Sequence, residues 1–190
     1  MSEFAAILLT GGSGRRLGGI NKAHLEVAGR SCFTHVLEAL HSAQSVVVVG
    51  ETIPHKDPRL IFIQEEPIGS GPVAAISAAL PLVMTKYVAV VSVDVPLVMG
   101  AFEELLSAWS STDIALVASD GTHESYLVSL FDTDALRGAI AKLSTTNNAS
   151  VKSVLAHLSY RSVKVSNPDM LIDVDTREDL SRVEEILSRR

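Results

Sequence analysis

Short apolar runs recur along the chain with helical patterns between them, and this alternation limits the available folds more than any other feature. Phe4–Leu9 (FAAILL), Val46–Val49 (VVVV), Leu60–Ile63 and Tyr87–Val93 (YVAVVSV) read as strands, followed by Ile114–Val117, Tyr126–Phe131 and Arg161–Val165. Helical spacing covers Thr34–Leu40, Val73–Leu80, Phe102–Trp109, Thr133–Leu143, Ser150–Leu158 and the charged stretch from Thr176 to the C-terminus. Pro72 suits the first turn of its helix and Pro81 its end. Strands that are apolar on both faces, alternating with helices, predict a largely parallel sheet covered on each side. The expected architecture is α/β: three layers, Rossmann-like, in a single domain spanning 1–190.

The rest of the composition narrows the function classes. The chain of 190 residues carries 22 acids against 16 bases, a formal charge of −6. That balance argues against broad binding to nucleic acid or to an anionic membrane, so an anionic partner has to be caught by a local cluster. A single cysteine, Cys32, leaves no internal disulfide framework and fits a reducing compartment. The longest uncharged stretch, Pro67–Thr85, is broken by Gly69, Gly71, Pro72 and Pro81, which suits a core segment better than a membrane span. Phe4–Leu9 is too short for a signal sequence and follows Glu3, so the sequon Asn148-Ala149-Ser150 reads as chance and the expected location is cytoplasmic.

Parallel sheets gather ligands beyond the carboxyl ends of their strands, which directs attention to the residues after Leu9, Val49, Ile63 and Val93. Leu9 to Lys22 (LTGGSGRRLGGINK) holds five of the twelve glycines, three cations and no acid. Glycines let backbone amides curl around an anion, and Arg15, Arg16 and Lys22 supply charge-assisted hydrogen bonds to phosphate. The loop is not of the Walker type, because the chain contains no Gly-Lys pair. Nor is it a dinucleotide fingerprint, since the third glycine arrives one residue late.

Asp94 follows the most apolar strand and, with Lys86, is one of two charges between Pro67 and Phe102. A carboxylate there needs a partner to offset its desolvation, and a magnesium ion bridging substrate phosphates is one; capping of the following turn is the structural alternative. Thr176 with Asp179 three residues on resembles a capping box, so Asp175 has a plain structural explanation too. Gly69 and Gly71 allow close approach to a base or ribose, or simply form a helix-entry turn. No histidine pair has metal-binding spacing, no G-x-S-x-G elbow is present, and Cys32 reads as core.

The loop resembles the signature L-A-G-G-x-S-x-R-M-G-x-x-D-K of nucleotidyltransferases of the molybdenum cofactor guanylyltransferase type, with Thr10, Gly14, Leu17 and Asn21 departing from it. Leu25-x-x-x-Gly29-Arg30 fits the family's turn before the first helix, and Val93-Asp94-x-Pro96 resembles its C-D-x-P motif. Asp173-Val-Asp175-Thr-Arg-Glu-Asp-Leu180 resembles N-x-N-T-P-E-D-L with both asparagines replaced by aspartate. The stretch Glu65 to Ile76 is similar to the family's segment ending G-P-L-A-G, and Gln64 or Glu65 falls nearest the aspartate that precedes it. Gly50 stands where an asparagine often follows the second strand.

The resemblance implies a fold like that of nucleotide-diphospho-sugar transferases and transfer of GMP from GTP to molybdopterin with release of pyrophosphate. It implies Mg²⁺ on Asp94, with a further contact from Asp173 or Asp175. Arg16, Lys22 and Asp94 would carry catalysis. The nucleotide would contact Leu9, Thr10, Gly11, Gly12, Gly14, Lys22, Glu65, Gly71 and Asp94. Residues 1–100 would bind the nucleotide and 101–190 the acceptor, around His123–Tyr126 and Asn148–Val151. Transient contacts with other cofactor-biosynthesis proteins also follow from the resemblance. Alternatives on the same scaffold are a molybdopterin cytidylyltransferase, a sugar- or polyol-phosphate nucleotidylyltransferase, and a nucleotide-binding module that has lost catalysis.

Overall fold

A computed structural model describes residues 3–11 and 19–189. A seven-stranded sheet forms from β1 (Phe4–Leu9), β4 (Val46–Val49), β5 (Leu60–Ile63), β6 (Tyr87–Ser92), β7 (Ala115–Ser119), β8 (Glu124–Asp132) and β9 (Arg161–Lys164), in the order β5-β4-β1-β6-β8-β7-β9. A separate two-stranded hairpin pairs β2 (Glu26–Val27) with β3 (Arg30–Ser31).

Side chains alternate across the sheet, which explains why the strands are apolar without interruption. Phe4, Ala6 and Leu8 of β1 face one core together with α1 (Cys32–Ala39), α3 (Ala101–Ala108) and α6 (Arg177–Ser188). Ala5, Ile7 and Leu9 face the other, against α2 (Pro72–Ala79), α4 (Thr133–Ile140) and α5 (Val151–Leu155). Each face is thus covered by three helices, and the three-layer α/β expectation holds.

Local chemistry sets the element ends. Ser31 caps α1 by accepting from the Thr34 amide at 3.2 Å, and Asp132 caps α4 by accepting from the Ala135 amide at 3.0 Å. Pro72 opens α2 as expected, while Pro81 sits inside a 3₁₀ turn, Leu80–Leu82, that carries the helix one turn further. The capping box anticipated at Thr176 is present, with Asp179 as its acid.

Two features lie outside the sequence reading. Strand β8 runs antiparallel to both neighbours, because only Asp120–His123 joins it to β7, too short a link for a parallel crossover. The β2–β3 hairpin turns on Ala28 and Gly29, both at positive φ (51° and 76°), the conformation of a two-residue primed turn.

The four parallel strands that frame the site end flush. Leu9 pairs with Val49 on one side and Ser92 on the other, and Val49 pairs with Ile63. Their loops therefore leave the sheet side by side along one edge.

Candidate active site

The loops that leave this edge enclose a cleft of about 820 Å³, lined by Leu9, Thr10 and Gly11 from β1, Gly50 and Glu51 from β4, Glu65 from β5 and Asp94 from β6. Its floor is closed by strand-like hydrogen bonds. The Thr10 amide donates to the Val49 carbonyl at 3.0 Å, the Gly50 amide to Ile63 at 2.9 Å and the Val93 amide to Leu9 at 2.9 Å. Of the glycine-rich loop, Gly12, Gly14 and Arg16 lie outside the described residues, while Leu9, Thr10 and Gly11 stand at the cleft as expected.

Lys22 opens a short 3₁₀ turn, Lys22–His24, capped by the Asn21 side chain, which accepts from the Ala23 amide at 3.0 Å. The turn aims the Lys22 ammonium inward, where it donates to Asp94 Oδ2 at 2.9 Å and to Asp175 Oδ1. Burial weakens the Lys22 ammonium, but the two carboxylates outweigh that effect and raise its pKa above the ordinary lysine value. Residues separated by 72 and 153 positions in sequence thus meet at one atom. The tail is brought there by a backbone bond: the Val174 amide donates to the Asp94 carbonyl at 2.8 Å, and the Val174 side chain is fully buried.

Of the two tail aspartates, Asp175 shares the ammonium with Asp94, and Asp173 lines the next cavity. Partial desolvation pushes the Asp173 carboxyl above its ordinary value, and the charges of Asp175 and Asp94 add to the push. Among the described residues, no three His, Cys, Asp or Glu side chains are grouped so as to hold a metal ion by themselves. Asp94 and Asp175 fit a hard divalent cation in another way. They are two oxygen donors already arranged around a positive charge, and magnesium commonly takes one or two protein carboxylates and completes its shell with phosphates and water.

Glu65 is buried and its Oε1 accepts from the Gly69 amide at 2.9 Å, whereas Gln64 beside it is exposed. Glu65 is therefore the anchored acid of this segment. Gly71 has φ of 91°, and a Cβ there would lie 3.3 Å from the Asn148 Cα. The Asn148 amide donates to the Ser70 carbonyl at 2.7 Å, so the loop holding Asn148 backs the entry to α2 instead of lining the second cavity.

That second cavity, of about 600 Å³, shares Asp94 and Leu127 with the first. His123 to Tyr126 line it, joined by Asp173, Asp179 and Arg182. Glu124 accepts from the Tyr160 hydroxyl at 3.1 Å and raises the pKa of both Tyr126 and Tyr160. Sequence reasoning missed Arg182, Glu51 and Asp120. Only Glu51 carried a signal, as the first acid beyond the second long strand.

Cys32 is fully buried at the start of α1. Burial first, and then the charge of Asp94, push its thiol up to about 12, which fits a core residue and not a nucleophile.

Comparison with known proteins assigns the family. Residues 6–163 match the model of the MobA-like NTP transferase domain. The chain belongs to this family. It is a nucleotidyltransferase. A molybdenum cofactor guanylyltransferase from Shewanella sp. (strain MR-4) is 25% identical over 187 residues, covering 95% of each chain. One from Photobacterium profundum is 27% identical over 187 residues, covering 93% of each. Among solved structures, molybdopterin-guanine dinucleotide biosynthesis protein A from Archaeoglobus fulgidus superposes with a TM-score of 0.74 at 22% identity, covering 98% of this chain and 100% of that one. A 2-C-methyl-D-erythritol 4-phosphate cytidylyltransferase from Thermus thermophilus gives 0.70 at 21% identity, covering 97% and 98%. These two structures share the fold. Among the described residues no helix is long and apolar enough to cross a membrane.

Proposed function

We propose that this nucleotidyltransferase transfers GMP from GTP to molybdopterin, releases pyrophosphate, depends on Mg²⁺ and works in the cytoplasm. The observation that carries the reading is the meeting of Lys22, Asp94 and Asp175 at the junction of two cavities. One cavity has the features of a nucleotide cleft, and the other opens from the same aspartate. A terminal phosphate of an acceptor in the second cavity can then approach a nucleotide α-phosphorus in the first. The names of the curated relatives supply guanylyl transfer and the molybdenum cofactor, and that of the Archaeoglobus structure supplies molybdopterin, as the pair to test first.

In this reading the backbone after Leu9 and the Gly12–Arg16 loop cradle the triphosphate, and Arg16 and Lys22 offset its charge. Lys22 can release one carboxylate and turn its ammonium to a phosphate oxygen, because it already spans two acceptors. Asp94 with Asp175 or Asp173 would hold Mg²⁺, which when bound neutralises charge on the phosphates. Buried Glu65, braced by Gly69, presents a fixed acceptor to the base end of the cleft, and Gly71 keeps the wall thin there. Catalysis is positioning and charge neutralisation, with no covalent enzyme intermediate.

The test is a panel of GTP, CTP, ATP and UTP against molybdopterin and sugar or polyol phosphates, with pyrophosphate detection. Release that needs GTP, Mg²⁺ and molybdopterin together is the expected result. Turnover only with CTP, or only with a polyol phosphate, replaces the substrate pair, and nucleotide binding without turnover under any pairing refutes the enzymatic reading. Asp94→Ala is expected to abolish release while the far-UV spectrum stays native.

A further inference from the structure

Three positions at which the chain departs from the family signature, Thr10, Asn21 and Gly50, form one arrangement in space. Gly50 has φ of 140°, and a Cβ built on it would stand 2.3 Å from Thr10 Oγ1. That hydroxyl is fixed by donation to the Val49 carbonyl at 3.0 Å. A hydroxyl at 10 and a side chain at 50 thus compete for the same space, and this chain has the hydroxyl. The first side chain presented to the cleft beyond β4 is consequently that of Glu51.

Asn21 is matched to it. Its Nδ2 donates to Glu51 Oε2 at 3.0 Å, while its Oδ1 caps the turn that carries Lys22. An aspartate at 21 can keep the cap, but it has no donor for Glu51 and brings a second negative charge beside it. Asn21 therefore holds a carboxylate at the end of β4, with His24 Nε2 3.9 Å from the same oxygen.

The sheet order says which part of a nucleotide that carboxylate meets. Asp94 follows β6, Glu51 follows β4 and Glu65 follows β5, with β1 and its phosphate loop between β6 and β4. At roughly 4.8 Å per strand, Glu51 stands about 10 Å across the sheet from the Asp94 position and Glu65 about 14 Å. A nucleotide with its phosphates over β6 and β1 and its base reaching β5 has its sugar over β4. A carboxylate only accepts hydrogen bonds, and sugar hydroxyls donate them.

We propose that Glu51 accepts hydrogen bonds from the ribose hydroxyls of the bound nucleoside triphosphate and makes the site select ribonucleotides over deoxyribonucleotides. Asn21 is its positioning residue. The inference rests on the reading of this cleft as the nucleotide site.

The experiment is calorimetric binding of GTP, 2′-deoxy-GTP and 3′-deoxy-GTP, with Mg²⁺ present, to the native protein and to Glu51→Ala, Glu51→Gln and Asn21→Asp. The native protein is expected to favour GTP over at least one deoxy form by about tenfold, the scale of a hydrogen bond to a charged group. Glu51→Ala and Asn21→Asp are expected to bring that ratio close to one, and Glu51→Gln, which keeps an acceptor oxygen, to retain part of it. A merely structural role for these residues weakens all three nucleotides alike and leaves the ratio intact, which overturns the proposal. So does a native ratio of one. If the native protein binds none of GTP, CTP, ATP and UTP, the nucleotide cleft itself is refuted, a result distinct from equal binding; if it binds another of them in place of GTP, the same comparison is run with that nucleotide and its deoxy forms.

Discussion

The Thr10–Gly50 contact gives a perturbation whose size can be worked from the structure. A Cβ at 50 would lie 2.3 Å from Thr10 Oγ1 and 3.4 Å from the Gly11 amide nitrogen. The first distance is about 0.7 Å short of the closest approach that real Cβ atoms tolerate, so Gly50→Ala forces the Thr10 side chain to rotate or the β4 end to move. Rotation breaks the hydroxyl's bond to Val49, worth about 1 kcal/mol, and overpacking of this kind costs about 1–3 kcal/mol. The φ of 140° adds about 1–3 kcal/mol of backbone strain for any residue with a Cβ. Gly50→Ala should therefore destabilise the fold by about 3–7 kcal/mol.

Thr10→Ala alone should cost only about 1 kcal/mol, because the Val49 carbonyl keeps the Thr10 amide as a donor at 3.0 Å. In the double variant the clash is gone and the backbone strain remains. The pair should then be less destabilised than the sum of the single variants by at least about 1 kcal/mol, a coupling typical of residues in contact. Urea unfolding followed by far-UV circular dichroism, with m-values checked for constancy, measures all four corners of the cycle. Additivity within about 0.5 kcal/mol would show that the two positions do not share space.

The other expectations follow from charge. Lys22→Ala should weaken nucleoside triphosphate binding by tenfold or more while leaving acceptor binding within about twofold, measured by calorimetry. Equal losses on both sides would make Lys22 structural. GTP should bind at least about tenfold more tightly with Mg²⁺ than with EDTA, because the described lining of the cleft offers Glu51, Glu65 and Asp94 and no cation. Equal affinity in the two buffers contradicts this. Asp57 is held down at about 2, first by the Arg59 side-chain hydrogen bond and then by the Arg59 amide. Its contribution is complete above the ordinary carboxylate value of 3.8 and is lost as the pH falls through about 2, so Arg59→Ala should flatten the acid limb of a stability profile between those values. An unchanged limb in thermal melts across that window would rule the pair out as a source of acid sensitivity.

Much of the sheet was legible because burial on both faces writes itself as an uninterrupted apolar run. Phe4–Leu9, Val46–Val49 and Leu60–Ile63 have the same bounds in the structure as in the sequence reading. The direction of β8 was less visible, since its apolar pattern is the same either way up and only the four-residue link to β7 fixes it. The β2–β3 hairpin escaped because Ala28 occupies a left-handed position that Asn, Asp or Gly usually marks. Helices α4 and α5 end earlier than their patterns, at Ile140 and Leu155, with Leu143 and Leu158 packing from the turns beyond. In the site, Asp94 was found from its isolation and Lys22 from its loop. The roles of Asp173 and Asp175 depend on the register of a non-local backbone bond between Val174 and Asp94, for which the local sequence has no sign.

The departures from the family signature had the opposite fate. Taken one at a time, Thr10, Asn21 and Gly50 look like erosion of a binding site, the pattern expected of a module that has lost catalysis. In space they compensate one another: the hydroxyl at 10 fills what a side chain at 50 would fill, and the amide at 21 provides the donor that Glu51 needs. The same holds for the charges. Lys22 is balanced by both Asp94 and Asp175, which leaves the described cleft negative and unsuited to a bare polyanion. It is suited to a triphosphate that brings a cation with it. An overall charge of −6 and a site for a multiply charged anion are therefore compatible, provided that the anion enters as its metal complex.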